Sequence, residues 1–558
     1  MQFPLQIEAR QRHQTRLASK TYLALVVFLL LVQLALRIHQ PTQLPFYIDE
    51  YRHIHRAQLV YALEHNPIEF MHGKLLFYYW LGVFGPSGHT AVTLGRLSIA
   101  LTSLSTSTVT AAIARKLFGL PASLIALVFY VFVPHTVFFE RLAFADPFAS
   151  ALATLSVWQL LHFVESPNRR RALGLGVLIS GAVLAKLTTA LLVGLPVFAV
   201  AFLRKEIMVD RSRQGVSQWS EALWQRYGTG LKITLAICVL PWLVLLSLAI
   251  LSLAIGDKPL LFPVRTVGIR FNTFDAIQYR AGVFIDILKS MLSLPMAVIL
   301  VFSVPLLLRH APRRTLFVVA WLVVLWAPSL VMTWQPETRY LVIGYPALGV
   351  LAGASSQLVI EAAPALARRR GVRWSTRTVR RLAGSAVAGG FAGWILLFAL
   401  PFALKASWAP ETLKLPHVET EILFRGPNGW AIESALAYLD VEAERMGARL
   451  PALGRFHAGN DDQDYCGLIA LYVPETIDWA CAVIPVDAET ENAATTPHPI
   501  WADLALSAER WPVFYLVLDK DLPPPDTAGA PTTTQVFELQ KPHDGPTVRV
   551  WRIESQVK

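Results

Sequence analysis

The sequence predicts a polytopic α-helical membrane protein of about eleven spans followed by a C-terminal soluble α/β domain, and three observations carry that prediction. Of 558 residues, 54% are hydrophobic and only 16% charged, whereas soluble globular domains run near ~25% charged. Apolar stretches long enough to cross ~30 Å of hydrocarbon recur through the first 405 residues and then stop. The charge divides at the same place: residues 1–405 carry a net +23 and residues 406–558 a net −12. The total of +11 is therefore a difference between two regions and gives no argument for nucleic acid.

Taken in order, the apolar segments are 21–38, 90–113, 120–137, 147–164, 172–186, 188–203, 232–255, 287–308, 315–333, 341–362 and 383–404. The fifth and sixth are short, a tight pair turning around Lys186. Basic residues test this map independently, because Lys and Arg beside span ends stay cytoplasmic. With the N-terminus inside, 25 of the 39 basic residues of 1–405 fall on the cytoplasmic side, seven of them between Arg368 and Arg381. An odd number of spans then places the C-terminus outside. The first span ends at Arg37 without a small-residue cleavage site, the pattern of a retained signal anchor. The expected location is the cell (inner) membrane, with the N-terminus cytoplasmic and the C-terminal domain periplasmic or extracellular.

Two domains follow: a membrane domain over 1–405 and an extracytoplasmic domain over 406–558. In the second, Val513–Leu518 reads as a strand, and Val536–Leu539 with Thr547–Ile553 reads as a hairpin around Asp544–Gly545. Cys238 lies in a span as a small apolar residue. Cys466 and Cys481 lie in the outer domain, where an oxidising compartment permits a disulfide between them.

Ionisable residues gather on the outer face in three groups, and charge near membrane depth is costly enough to mark function. The first loop contains Asp49–Glu50 and then Gly73–Lys74 with Tyr78, Tyr79 and Trp80. One carboxylate there can receive a hydroxyl proton while the other orients it or holds a cation. Lys74 offers a point charge for a phosphate, and the aromatic run suits an interfacial belt or a sugar-stacking wall. The second group is Glu140–Arg141 with Asp146–Pro147. Here Asp146 reads equally as a helix N-cap, and Glu140–Arg141 reads as a local ion pair. The third comprises Lys186, Arg265, Arg270, Arg280 and the run Glu337-Thr338-Arg339-Tyr340. A membrane-bound anionic phosphate would explain cations on this face, as would pairing with Asp257, Asp275 or Asp286. The histidines His53, His55, His65 and His72 match no compact zinc spacing. No Walker loop and no GxSxG element occurs, which argues against an ATP-driven pump or a serine hydrolase.

In this order the motifs resemble the GT-C superfamily of polyprenyl-phosphate-sugar-dependent glycosyltransferases, in the branch of the protein O-mannosyltransferases and the lipid A aminoarabinose transferase. The resemblance rests on Asp49-Glu50, Gly73-Lys74, Tyr78-Tyr79-Trp80-Leu81, Asp146-Pro147, Ala185-Lys186-Leu187-Thr188, and Arg339-Tyr340 with Tyr345-Pro346. It departs at Leu75-Leu76, where the family often has prolines. It implies inverting transfer of a sugar from a polyprenyl phosphate to an acceptor protein, lipid or polysaccharide on the outer face. Asp49 would be the base, Glu50 and Asp146 would shape the pocket or hold the acceptor, and Lys74 with Arg265, Arg270 or Arg339 would hold the departing phosphate. Tyr78, Tyr79, Lys186 and Tyr340 would line the sugar or acceptor pocket. A divalent metal is optional in the superfamily.

Two other classes compete with this reading. A transporter or flippase would place ionisable residues across the midplane and repeat broken helices between halves, whereas the acidic residues here gather at one face. A non-catalytic envelope assembly factor would keep the fold without need of an intact Asp49, Lys74 and Asp146.

Overall fold

Helices dominate because a chain in hydrocarbon must satisfy its backbone internally. The computed structural model describes residues 3–45, 47–62, 74–87, 90–203, 216–255, 274–331, 337–425, 430–455, 469, 473–481, 511–518 and 532–554. The chain divides into two compact units, Met1–Pro41 with Leu63–Trp80 and Arg96–Trp408, and Thr42–Ala62 with Leu81–Gly95 and Ala409–Lys558. The long second piece of that division begins three residues beyond the sequence boundary at 405/406. The two short N-terminal segments it includes were assigned by sequence to the membrane domain.

Among the described residues the eleven apolar segments fall largely on helix. Among the described residues, seven helices are long and apolar enough to cross a membrane, and an eighth if the bent pair Asp275–Leu292 and Leu294–His310 is one span. The expected segments at 120–137 and 188–203 are shorter apolar helices, Leu120–Phe132 and Leu187–Leu203. Proline sets the first of these limits: the helix opens after Gly119 with Pro121 in its first turn, ends at Phe132, and Pro134 starts a separate short helix, Pro134–Phe139. The expected span 287–308 is instead broken at Ser293, where the two flanking helices meet at 113°. Ser293 holds φ +70° there, a conformation no hydropathy pattern encodes.

Small residues let the membrane helices approach. Tyr345–Arg369 packs on Leu120–Phe132, and a Cβ at Gly353 would lie 2.1 Å from the Ala122 carbonyl oxygen while one at Gly349 would lie 3.3 Å from that of Ala126. These glycines, four apart on one face, form the close-contact stripe expected of packed membrane helices. Leucines left exposed, such as Leu23, Leu243 and Leu397, are the surface that lipid would cover.

Buried arginines knit the end of the first helix, Phe3–Ile38, to the rest. Arg37 pairs with Glu140 at 3.1 Å, both fully buried, and donates to the Val131 carbonyl at 2.7 Å. Tyr130 donates to the other Glu140 oxygen at 2.6 Å. Arg141 turns away from Glu140 and donates to the His39 and Gln40 carbonyls at 2.9 and 3.1 Å and to Ser407 at 2.8 Å. The expected Glu140–Arg141 pair is thus corrected: adjacent residues at a helix end diverge, and each finds a partner about a hundred residues or more away.

In the second unit, five strands among the described residues form one sheet: β1 (Leu450–Arg455), β2 (Ile477–Cys481), β3 (Val513–Leu518), β4 (Thr532–Gln540) and β5 (Thr547–Glu554), in the order β2-β1-β3-β5-β4. The β1–β2 and β1–β3 pairs are parallel and the β3–β5 and β4–β5 pairs antiparallel. The hairpin read from sequence is β4–β5, its turn using positive φ at His543 and Asp544. Strand β3 is apolar throughout because both its faces are buried: Tyr515 and Val517 meet Ile432, Leu436 and Leu439 of the helix Ile432–Met446, while Phe514 and Leu516 meet Leu453 and Ile553 on the other side. The expected Cys466–Cys481 bridge lies outside the described residues at Cys466. Cys238 is a buried free thiol.

Candidate active site

Three elements of the first unit converge. The helix Ala145–Glu165 carries Asp146 in its first turn. The helix Arg169–Ala185 ends at Lys186, whose extended backbone turns the chain into the 3-10 stretch Leu187–Gly194. A second 3-10 stretch, Thr338–Gly344, carries Arg339 and Tyr340 immediately before the long helix that begins at Tyr345 and Pro346. Asp146 is not the N-cap: the helix starts one residue earlier, Phe144 occupies the cap, and no side chain caps it. The carboxylate is left for another partner. That partner is the Lys186 ammonium, which donates to Asp146 Oδ1 with 7% and 2% of the two side chains exposed.

The pair is walled by aromatic rings and a second ion pair. Lys186 Nζ lies 4.2 Å from the centre of the Tyr340 ring. Arg339 pairs with Glu337 and rests over the Phe144 ring at 4.9 Å. Arg339 and Glu337 both act electrostatically on Lys186. Two cations and two carboxylates are therefore held near one another in surroundings of low polarity, where charge interacts strongly. An incoming anion would meet Lys186 and Arg339 already oriented.

The 3-10 stretch is fixed from behind. His135 Nε2 donates to the Thr338 carbonyl at 2.8 Å, its ring stacks on Tyr345 at 4.3 Å, and Trp326 donates to the Leu341 carbonyl at 3.0 Å. Trp326 also fills the space beside Gly344, where a Cβ would lie 2.2 Å from its Nε1. Sequence reasoning missed His135 and Trp326; neither belongs to a charged motif, and the contacts that give them a role span 15 to 203 residues.

Lys74 immediately precedes the helix Leu75–Val83, with its carbonyl accepting from the Phe77 and Tyr78 amides at 3.0 and 3.2 Å. That helix packs against both carriers of the buried pair: Phe77 and Trp80 meet Phe148 at 5.8 and 5.5 Å, and Leu76 lies beside Gly181. Tyr78 is fully buried in this packing, whereas Tyr79 is 36% exposed. Of the two tyrosines that this helix contributes to the expected sugar pocket, Tyr79 is the accessible one. Arg265 and Arg270, with His72 and Gly73, lie outside the described residues.

In the second unit, the segment read as a loop contains the helix Ile48–Ala62, with Asp49 and Glu50 in its first turn. Glu50 is fully buried and accepts from the Tyr47 amide at 3.1 Å, the return half of a capping box. Tyr47 in turn donates its hydroxyl to the buried Glu419. Asp49, one residue earlier, points differently: it is 21% exposed and lies 3.5 Å from Arg52. The two carboxylates thus separate into one that builds the helix start and one that reaches solvent. A close approach braces the helix farther on, where Gly82 lies against the Ala57 carbonyl and the Tyr61 ring. Among the described residues no three His, Cys, Asp or Glu side chains cluster as metal ligands do.

A family model described as dolichyl-phosphate-mannose-protein mannosyltransferase matches residues 81–212, the stretch that holds Asp146 and Lys186. The apo crystal structure of ArnT from Cupriavidus metallidurans is similar over 96% of this chain and 98% of that one, at 16% identity and a TM-score of 0.54. The structure of ArnT from the same organism bound to undecaprenyl phosphate aligns over 96% and 97% at 16% identity and TM-score 0.49. The oligosaccharyltransferase AglB from Archaeoglobus fulgidus, in complex with an inhibitory peptide and a dolichol-phosphate, aligns over 90% and 70% at 14% identity and TM-score 0.45. No curated protein matches. The fold shared with apo ArnT over nearly the whole of both chains is the GT-C fold.

Proposed function

Proceeding from the GT-C fold, we propose that this protein is a membrane glycosyltransferase that moves a hexosyl or pentosyl unit from a polyprenyl phosphate to an acceptor protein, lipid or polysaccharide on the extracytoplasmic face. The observation that carries this reading is the Asp146–Lys186 pair under Tyr340 and beside Arg339, lying where the mannosyltransferase family model matches. The description of that family names dolichyl-phosphate mannose, a sugar on a polyprenyl phosphate, and so supports a donor of that class.

The acceptor hydroxyl attacks the anomeric carbon from the side opposite the phosphate. The new C–O bond forms as the bond to the phosphate oxygen breaks, so configuration inverts. Asp49, the exposed carboxylate of its pair, takes the hydroxyl proton. The electron pair leaves on the lipid phosphate, whose charge Lys74, Lys186 and Arg339, with Arg265 and Arg270, stabilise. Asp146 holds Lys186 in place, and Tyr79 and Tyr340 offer ring faces to the sugar. No step requires a metal, although a divalent cation beside the phosphate is compatible with this charge arrangement.

The test is sugar transfer by the full-length protein from radiolabelled polyprenyl-phosphate sugars. Asp49→Asn should lower turnover by about 10²–10⁴-fold while the protein inserts, purifies and retains the labelled donor. Undiminished transfer in that variant removes Asp49 from the mechanism.

A further inference from the structure

At the far end of the helix that carries Asp146 there is an open cleft of about 500 Å³, between Tyr22 and Val26 of the first helix, Ala111, Ala112, Arg115 and Lys116 of the helix Ala91–Phe118, and Trp158. Trp158 follows Asp146 by twelve residues on one continuous helix, about 18 Å along its axis, so the cleft lies toward the opposite membrane face from the candidate active site. We propose that it binds the headgroup and upper acyl chain of an anionic phospholipid of that leaflet, which the basic-residue pattern makes the cytoplasmic one.

The walls are built for a headgroup. Arg115 lies over the Tyr22 ring at 5.0 Å, and Lys116 lies 5.5 Å from the Trp158 ring centre. Tyr22 is itself anchored: its hydroxyl shares a 2.8 Å hydrogen bond with Ser123, which donates onward to the Ala111 carbonyl at 2.7 Å. Trp158 is held by His162, edge-on at 4.4 Å. Two amphipathic rings lining one cleft, each beside a cation, suit the headgroup level of a bilayer.

Below that level the lining turns small and uncharged. Val26 and Ala111 lie one helical turn deeper than Tyr22 and Arg115, and with Ala112 and Thr108, whose hydroxyl is turned onto the Leu104 carbonyl, they leave a slot for an acyl chain. The C-terminal end of Ala91–Phe118 favours cations on its own, which accounts for Arg115 and Lys116 but not for the cleft between them and the rings. Lys116 is partly answered by Glu165 at 2.7 Å. Arg115, exposed at the mouth, supplies the charge for the phosphate. Basic clefts between membrane helices on the cytoplasmic side take anionic headgroups for this reason.

Native mass spectrometry of the detergent-purified full chain tests it, with phosphatidylglycerol, phosphatidylcholine and inorganic phosphate as probes. The wild type should retain phosphatidylglycerol about tenfold better than phosphatidylcholine. Arg115→Gln/Lys116→Gln, two changes at the exposed mouth, should abolish that preference. Ala112→Leu, which fills the slot without altering charge, should reduce retention of phosphatidylglycerol to the phosphatidylcholine level. Unchanged preference in the Arg115/Lys116 variant overturns the proposal. So does displacement of phosphatidylglycerol by millimolar inorganic phosphate, which would mean an anion site with no contribution from the acyl chain.

Discussion

Asp146 and Lys186 pose a question that only paired substitutions answer, because a buried ion pair can be a structural fastening or part of the chemistry. Lys186→Met alone leaves Asp146 buried without its cation and should cost about 3–5 kcal/mol, read as a lower melting temperature in detergent. Adding Asp146→Asn removes the uncompensated charge and should restore most of that stability. If Lys186 acts on the lipid phosphate as proposed, transfer should stay lost in the double variant; recovery of transfer would make the pair a fastening only. Glu50 is expected to behave in the opposite way. Its oxygen caps the Tyr47 amide, a role glutamine can fill, so Glu50→Gln should keep transfer near the wild-type rate. Glu50→Ala should lose about 1 kcal/mol of stability and, by loosening the turn that carries Asp49, most of the turnover. These carboxylates were visible in the sequence as candidates. Their division of labour was not, because it depends on Tyr47, Glu419 and Lys186, residues whose pairing no local spacing reveals.

The membrane helices were legible because hydropathy reports one property, apolarity over a bilayer-length window; the break before Pro134 was not read, because the apolar run continues past it to 137. The bend at Ser293 was missed because hydropathy averaged over 287–308 smooths across Lys289, Ser290 and Pro295; Pro295, in the first turn of Leu294–His310, is the helix-start signal that could have found it. Two strains meet there: the backbone sits at φ +70°, and the buried Ser293 hydroxyl has no hydrogen-bond partner among the described residues. Ser293→Gly relieves both and should raise stability by about 1 kcal/mol, seen as a higher melting temperature; a lower one would mean that the bend is held by the side chain. The helix Ile48–Ala62 was read as a loop for a related reason. Its start is secured by the chain Glu50, Tyr47, Glu419, a contact across 372 residues. At Gly353 the helix contact is backbone against backbone, so an added side chain has nowhere to move. Gly353→Val should cost about 3 kcal/mol or more, whereas Gly389→Val, in open surroundings, should cost little beyond helix propensity.

Over the whole molecule the charge distribution makes the strongest sequence-level statement, and it concerns orientation. All seven arginines between Arg368 and Arg381 are exposed, and they occupy the end of Tyr345–Arg369, the connecting turn and the start of the helix Thr376–Trp394. Carrying them across a bilayer is disfavoured at about 2.5–3.5 kcal/mol for each charge at the membrane centre, so this turn is the strongest sequence signal for a cytoplasmic side. The next apolar stretch, Thr376–Trp408, is long enough to cross once, and residues 406–558, with their net −12, carry no such barrier to export. What hydropathy could not show is that Thr42–Ala62 and Leu81–Gly95 group with Ala409–Lys558, because that grouping rests on contacts hundreds of residues apart. The orientation is checked with alkaline phosphatase, which is active only after export. A fusion after Gly371 should be inactive and one after Lys558 active, with the reverse pattern for a fluorescent protein that folds only in the cytoplasm. An active phosphatase at Gly371 would invert the topology. It would also move Asp49 and Lys74 to the cytoplasmic side, and the proposed transfer on the outer face would fall with it.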